Sequence, residues 1–273
     1  MRLRGDLTER GEVMGMATQK EPAWNLHLLV ALVKRDFKAQ YRRSLIGPAW
    51  ALLYTLVYLA LFVAIRSFLG IPSDDQPYIL FAAVSIVPWT FFSGAVSRAG
   101  ASIMLNGSLI KKMAVRREVF PAAAVVLSLG DLVIASLVLV VLAIWFGVVI
   151  GWALLWVLPL LLLLALLAFG VGMAVAAVGV YKRDVVFALP FVIQVWMLGS
   201  PIMYPLSVVP EAWRSLYVLN PVVGIVEGLR MALLHNAMPD LNLLFWAIVG
   251  SLLFLALGWW MFRSLAQYFV DVL

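Results

Sequence analysis

The chain has 273 residues, 64% of them hydrophobic and only 12% charged, with a formal net charge of +6. Ordinary soluble domains run at roughly 45–50% apolar and 25% charged, so a soluble globular protein is excluded. Apolar runs of about 20 residues match the hydrocarbon core of a bilayer, whereas a membrane β-barrel would show segments of about 10 residues with alternating polarity.

The expected fold is therefore an all-α polytopic membrane protein. Eleven Trp, eight Tyr and fifteen Phe exceed what headgroup anchoring needs, which points to aromatics along an internal path. The absence of Cys excludes disulfides and thiolate metal sites.

Residues 1–23 are polar and mixed in charge, with no apolar core of a signal peptide, and read as a disordered N-terminal tail in which Met14 or Met16 could equally be the start. Residues 24–47 read as an amphipathic interfacial helix. Leu29, Val33, Phe37, Tyr41 and Leu45 recur every four residues on one face, and Lys34, Arg35, Lys38, Arg42 and Arg43 fill the other. Such a helix lies in the membrane surface with its basic stems toward lipid phosphates; a simple basic juxtamembrane anchor is the plainer alternative. Gly47 and Pro48 then turn the chain into the bilayer.

A six-span domain over 48–273 follows, with spans at about 49–69, 78–99, 119–150, 153–180, 185–204 and 242–262. The third segment would be about 48 Å of helix and must tilt or project. An even count puts both termini on one side. All of the 20 Lys and Arg except Arg66, Arg214 and Arg230 fall on that side, which the positive-inside rule makes the cytoplasm.

Two connections stand out. Between spans two and three, residues 106–118 begin with capping side chains at Asn106-Gly107-Ser108 and continue as Leu109, Ile110, Lys111, Lys112 and Met113, a short cytoplasmic helix with an apolar ridge and basic flanks, extended by Arg116 and Arg117. It reads as a docking ridge for a soluble partner, or as an ordinary positive-inside loop. Between spans five and six, Pro205, Pro210, Pro221 and Pro239 divide a stretch too apolar for an exposed loop. Pro210–Leu219 and Val222–His235 read as two short helices broken at Asn220-Pro221, forming an outer re-entrant hairpin over 205–240, with a plain surface loop as the alternative. Glu211 with Arg214, and Glu227 with Arg230, are local i,i+3 pairs.

Several chemistries are missing from the sequence. No G-x-x-x-x-G-K-[ST] occurs, nor any Gly-Lys dipeptide, so the chain builds no phosphate-cradling loop and cannot hydrolyse ATP by itself. His27 and His235 are isolated and belong to no metal motif. Asp131 is the one carboxylate well inside a span, with Arg66 and Arg98 close enough to the interfaces to snorkel. A single acid without a second titrating partner makes a poor proton relay, so a structural hydrogen bond is its expected role and catalytic residues are expected to be absent.

Six motifs in order resemble the permease subunits of type-two ABC exporters, in particular those exporting O-antigen, capsule or teichoic-acid polymers. They are Arg35-Asp36-Phe37-Lys38 with Tyr41, Ser44, Gly47 and Trp50; Pro88-Trp89-Thr90-Phe91-Phe92; Asn106 with Leu109-Ile110-Lys111-Lys112 before Phe120-Pro121; Tyr181-Lys182-Arg183-Asp184; Ser200-Pro201-Ile202-Met203-Tyr204-Pro205; and Leu219-Asn220-Pro221. The resemblance covers roughly residues 34–273. It departs at Ala114-Val115-Arg116-Arg117-Glu118, where the family often carries a Pro before the Arg.

The resemblance implies a homodimer in the bacterial inner membrane, bound to two copies of an ATP-binding subunit that holds the ATP and Mg, with a lipid-linked glycan as substrate and no nucleic-acid partner. The interfacial helix with Arg35 and Asp36 and the ridge from Asn106 to Arg117 would then rest on the ATPase, and Arg183 with Asp184 would lie in a cytoplasmic loop. Sugar rings stack on aromatic faces, so Trp50, Tyr54, Tyr58, Trp89, Phe91 and Phe92 become candidates for the polysaccharide path, with helix packing and interfacial anchoring as the alternative for these rings. The same architecture exporting a drug, antibiotic or lipid is the rival function. An undriven channel or scaffold is a second rival.

Overall fold

A computed structural model describes residues 21–42, 45–70, 77–112, 115–149 and 151–272. Prolines, glycines and capping side chains set the helix limits. Helix α1 covers Glu21–Tyr41. Gly47, at φ +51°, and Pro48 then deliver the chain into α2, Ala49–Leu69, which Gly70 ends in the left-handed conformation. Helix α3, Tyr78–Leu105, starts after Pro77 and stops at Asn106. The short α4, Gly107–Lys112, and α5, Val119–Trp145, follow.

A 3-10 turn at Trp152–Trp156 leads into α6, Val157–Gly179, and then comes α7, Arg183–Leu198. Helices α8, Glu211–Val218, and α9, Pro221–Leu234, meet at 98°. Asn220 caps α9 by accepting from the Val222 amide, with Pro221 in the first helical position. Asp240 caps α10, Leu241–Ala266, by accepting from the amides of Asn242 and Leu243, and α11, Phe269–Val272, is the last described element. The described residues contain helices and no strands.

Five of these helices are long and apolar enough to cross a membrane, six if the bent pair α8–α9 counts as one. Helix α3 is the central member: it packs on α2, α4, α5, α6, α7 and α9, and most of its residues are buried. An apolar helix buried all round is what a bundle centre requires. Close approach is supplied by small residues. At Gly258 of α10 an added Cβ would stand 1.9 Å from the Gly170 carbonyl oxygen of α6, so these two backbones touch with no room for a side chain.

There are two cores. The larger joins α2, α3, α5, α6, α7, α9 and α10. The smaller, at the α4 end, gathers Leu32 of α1, Ile103, Ile110, Phe120, Met173, Phe262 and Phe269.

Several expectations change in extent or direction. The N-terminal tail before residue 21, Arg43, Ser44 and Met113 lie outside the described residues. Helix α1 ends at Tyr41, so Leu45 is off it and fully exposed, and among the described side chains of α1 the most deeply buried is Leu32 rather than a member of the four-residue row. The third apolar segment is helical for 27 residues, ending at Trp145 before the turn at Gly147. The helix expected over 106–118 is six residues long, and α7 has 16.

Candidate functional site

A cavity of about 410 Å³ opens between α1, α2, α3, α5 and α7. Trp50, Tyr54 and Tyr58, one helical turn apart on α2, form one wall. Tyr54 and Tyr58 lie with their ring centroids 5.3 Å apart. Trp89 and Phe91 of α3 also border it, though both are otherwise buried, so the α2 row offers most of the aromatic surface.

Phe92 is not on this wall, against the expectation. It is 0% exposed, with its ring 5.4 Å from that of Trp89 and 5.2 Å from that of Trp196. On α3 it turns to Trp196 of α7, a residue outside the lining, and so packs away from the cavity.

The polar lining is uncharged apart from one pair. Gln40 comes from α1, Thr90, Ser93 and Ser97 from α3, and Gln194 from α7. Sequence reasoning named Thr90 only within a motif and passed over the other four. The available signal was the row Trp89, Ser93, Ser97 at four-residue spacing, a polar stripe in an otherwise apolar span.

At the α1 side of the cavity sits a hydrogen-bonded network. Asp131 of α5 accepts from the Tyr41 hydroxyl on Oδ1 and from Arg98 Nη2 on Oδ2, each at 2.5 Å. Arg98 Nη1 donates to Ser128 Oγ at 2.8 Å. Arg98 therefore does not snorkel to an interface. It turns inward to the acid, which has both a cation and a phenol for partners. Burial, and after it the bond to Asp131, push the Tyr41 phenol above its ordinary range, so it stays a donor.

The residues expected at the ATPase face assemble at the α4 end. Arg35 Nε pairs with Asp36 at 2.7 Å, and its Nη2 donates to Asn106 Oδ1 at 2.7 Å, joining two motifs 71 residues apart. Of the two described ridge residues, Ile110 faces inward, 4% exposed within the smaller core, and Leu109 packs against the same cluster. Lys111 and Lys112 are exposed. A six-residue helix has too few turns for both an anchoring and a docking apolar face, and the fold uses its apolar side as the anchor.

A cleft of about 490 Å³ is lined by Ser108 and Lys111 of α4 and by Arg183. Asp184 beside it is exposed. Arg117 lies over the Phe269 ring at 5.9 Å, while Arg116 is exposed.

At the opposite end, Asn220 ties two sequence motifs together. Its Oδ1 accepts from Trp196 Nε1 at 3.0 Å and its Nδ2 donates to Ser200 Oγ at 2.9 Å, while Pro221 is buried beside Gly250. The two i,i+3 pairs differ in kind. Arg214 and Glu211 are 3.9 Å apart and exposed. Arg230 is 3% exposed; it meets Glu227 at 2.7 Å, donates to Ser85 Oγ and the Ile202 carbonyl, and lies 3.7 Å over the Phe81 ring. Among the described residues no cluster of His, Asp or Glu could hold a metal ion.

This bundle, with its broken helix pair and its aromatic cavity, belongs to a defined class of transport protein. Residues 27–234 match the ABC-2 type transporter family, and the chain belongs to it. It is 30% identical over 220 residues to the O-antigen export system permease protein RfbA of Myxococcus xanthus, covering 78% of this chain and 82% of that one. It is 23% identical to the O-antigen export permease RfbA of Klebsiella pneumoniae over 90% of this chain and 95% of that one. It is 24% identical to the polysialic acid transport protein KpsM of Escherichia coli over 86% and 92%. The chain is thus a multi-pass membrane transport subunit, of a family that works with an ATP-binding partner.

Proposed function

We propose that this chain is the permease subunit of an exporter that moves a lipid-linked polysaccharide of O-antigen, capsule or teichoic-acid type outward across the bacterial inner membrane, driven by ATP bound with Mg on a separate subunit. The observation that carries the reading is the row Trp50, Tyr54 and Tyr58, the first two exposed and the third half-buried, set opposite hydroxyl and amide side chains in a cavity. Amphipathic rings with neutral hydrogen-bonding groups match the two faces of a sugar, its apolar C–H side and its hydroxyls. Family membership and the names of the polysaccharide-exporting relatives support it.

In this reading two copies of the chain pair in the membrane and two ATPase subunits dock on the α4 end. The smaller core holds α4 rigidly, and Lys111, Lys112 and Arg183 offer cations to an acidic groove. In this reading the shorter α7 joins the five long helices as a sixth span, α1 lies in the interface and α8–α9 dips in as a re-entrant hairpin, with both termini in the cytoplasm as the Lys and Arg bias favours.

The test replaces Tyr54 and Tyr58 together, by Ala in one variant and Leu in another, and measures cell-surface glycan per permease. A stacking surface predicts export reduced about tenfold in both, with protein level and ATP turnover near those of the native chain. Near-complete export by the Leu pair would make the rings mere packing and remove them from the path.

A further inference from the structure

The charge of the cavity narrows the kind of glycan it can carry. Among the described residues that line it, Arg98 and Asp131 are the only ionised side chains, and they cancel each other in direct contact. Both carboxylate oxygens of Asp131 are engaged, one by Arg98 and one by the Tyr41 hydroxyl, and Arg98 spends a further nitrogen on Ser128.

Other described cations sit elsewhere. Arg230 is buried against Glu227, Arg66 lies over the Tyr78 ring 4.7 Å from its centroid, and Lys111 and Arg183 line the separate cleft at the α4 end. What remains on the wall is aromatic face, hydroxyl, amide and the small apolar surface of Ala51, Ala135, Pro190 and Ile193.

A polymer with a carboxylate on every sugar would meet two penalties there. Its charges would leave water for an apolar surround where the one described lining cation, Arg98, is already engaged by Asp131. The faces of aromatic rings carry the negative part of the quadrupole, so they attract C–H groups and cations and repel anions. A neutral hexose polymer meets neither penalty, because its hydroxyls find Gln40, Gln194 and Ser97 while its C–H faces find the tyrosines.

We propose that the cavity is a charge filter that passes uncharged glycans and rejects polyanionic ones, with the Arg98–Asp131 pair fixing its net charge at zero. The proposal rests on the polysaccharide reading above and specifies the substrate class within it.

The experiment uses the full chain with its ATPase partner. Two polymers are presented on the same lipid carrier, a neutral galactose homopolymer and polysialic acid, and export per permease is measured for each. The neutral polymer is expected to be exported at least about tenfold faster. Gln194→Lys adds a cation to the exposed wall contributed by α7, and it should raise the share of polysialic acid at least about threefold. Gln40→Lys, from α1, is the second variant should the first fail to accumulate.

Equal export of both polymers by the native chain would overturn the filter and leave the polysaccharide reading standing. A polysialic acid share unmoved by the added lysine would overturn the assignment of selectivity to this cavity. Export of neither polymer would contradict the polysaccharide reading itself and take the filter with it.

Discussion

Charged side chains in apolar helices persist where a partner satisfies them, and the two internal pairs of this protein differ in how completely water is excluded. Arg230 is almost wholly enclosed beside Glu227, whereas the Arg98 side chain is 33% exposed and that of Asp131 18%. Removing the acid from an enclosed pair strands a buried cation at a cost of about 3–5 kcal/mol, and from a partly wetted pair at about 1–2 kcal/mol. Glu227→Gln should therefore lower the unfolding temperature of the purified protein clearly more than Asp131→Asn. Tryptophan fluorescence on heating would read both, and an equal or reversed order would contradict the burial argument. Tyr41 adds a pH expectation: its raised pKa means that its contribution is present below the ordinary phenol value of 10 and is lost only as pH rises beyond it. Stability that fell on going from pH 7 to pH 9 in the native chain, but not in Tyr41→Phe, would count against this bond.

Helix contacts decide which small residues are fixed. Gly258→Ala would press a methyl group into the Gly170 backbone, where neither helix has a side chain to move aside, so it should abolish accumulation of a monodisperse protein. Gly130→Ala of α5 meets nothing within 4 Å and should be neutral or stabilising by up to about 1 kcal/mol, from helix propensity alone. Size-exclusion chromatography of the two variants checks both outcomes together. The same logic separates the two faces of α4: Ile110→Asp should unfold the α4 end, while Lys111→Glu with Lys112→Glu should spare folding and weaken ATPase co-purification, more so at low salt.

Much at this scale was legible in the sequence. Length and apolar content mark α2, α3, α5, α6 and α10, and Asn220-Pro221 marks the break between α8 and α9, because backbone chemistry there is local. The direction of the α4 ridge was not legible: a six-residue apolar pattern fits an inward or an outward face equally, and only Phe120, Phe262 and Phe269, distant in sequence, settle it. Phe92 failed for the same reason. An aromatic cluster in a span announces rings without saying which side of the helix is hollow. Arg98 and Asp131 were each visible as an oddity, but their pairing across 33 residues was not.

Over the whole molecule, α1 links the two candidate regions. One part of it is tied to the start of α4 through Arg35 and Asn106, and its last residue is tied to the cavity through Tyr41 and Asp131. The two ties stand less than two turns apart on one helix, so a displacement at one is expected to move the other. Tyr41→Phe keeps the ring and loses only the bond, so it should lower export severalfold while ATP turnover by the complex continues. Parallel loss of both activities would point to a damaged fold instead. The central claim is that this chain supplies the path and its partner the drive, and reconstitution in proteoliposomes tests it most directly. The chain, the ATPase partner and a lipid-linked neutral glycan are combined, and glycan reaching the far side of the bilayer is measured. Transfer is predicted with ATP and both proteins present, and none when either protein is omitted or ADP replaces ATP. Glycan transfer by the chain alone, or ATP hydrolysis by the complete system without any transfer, would contradict it.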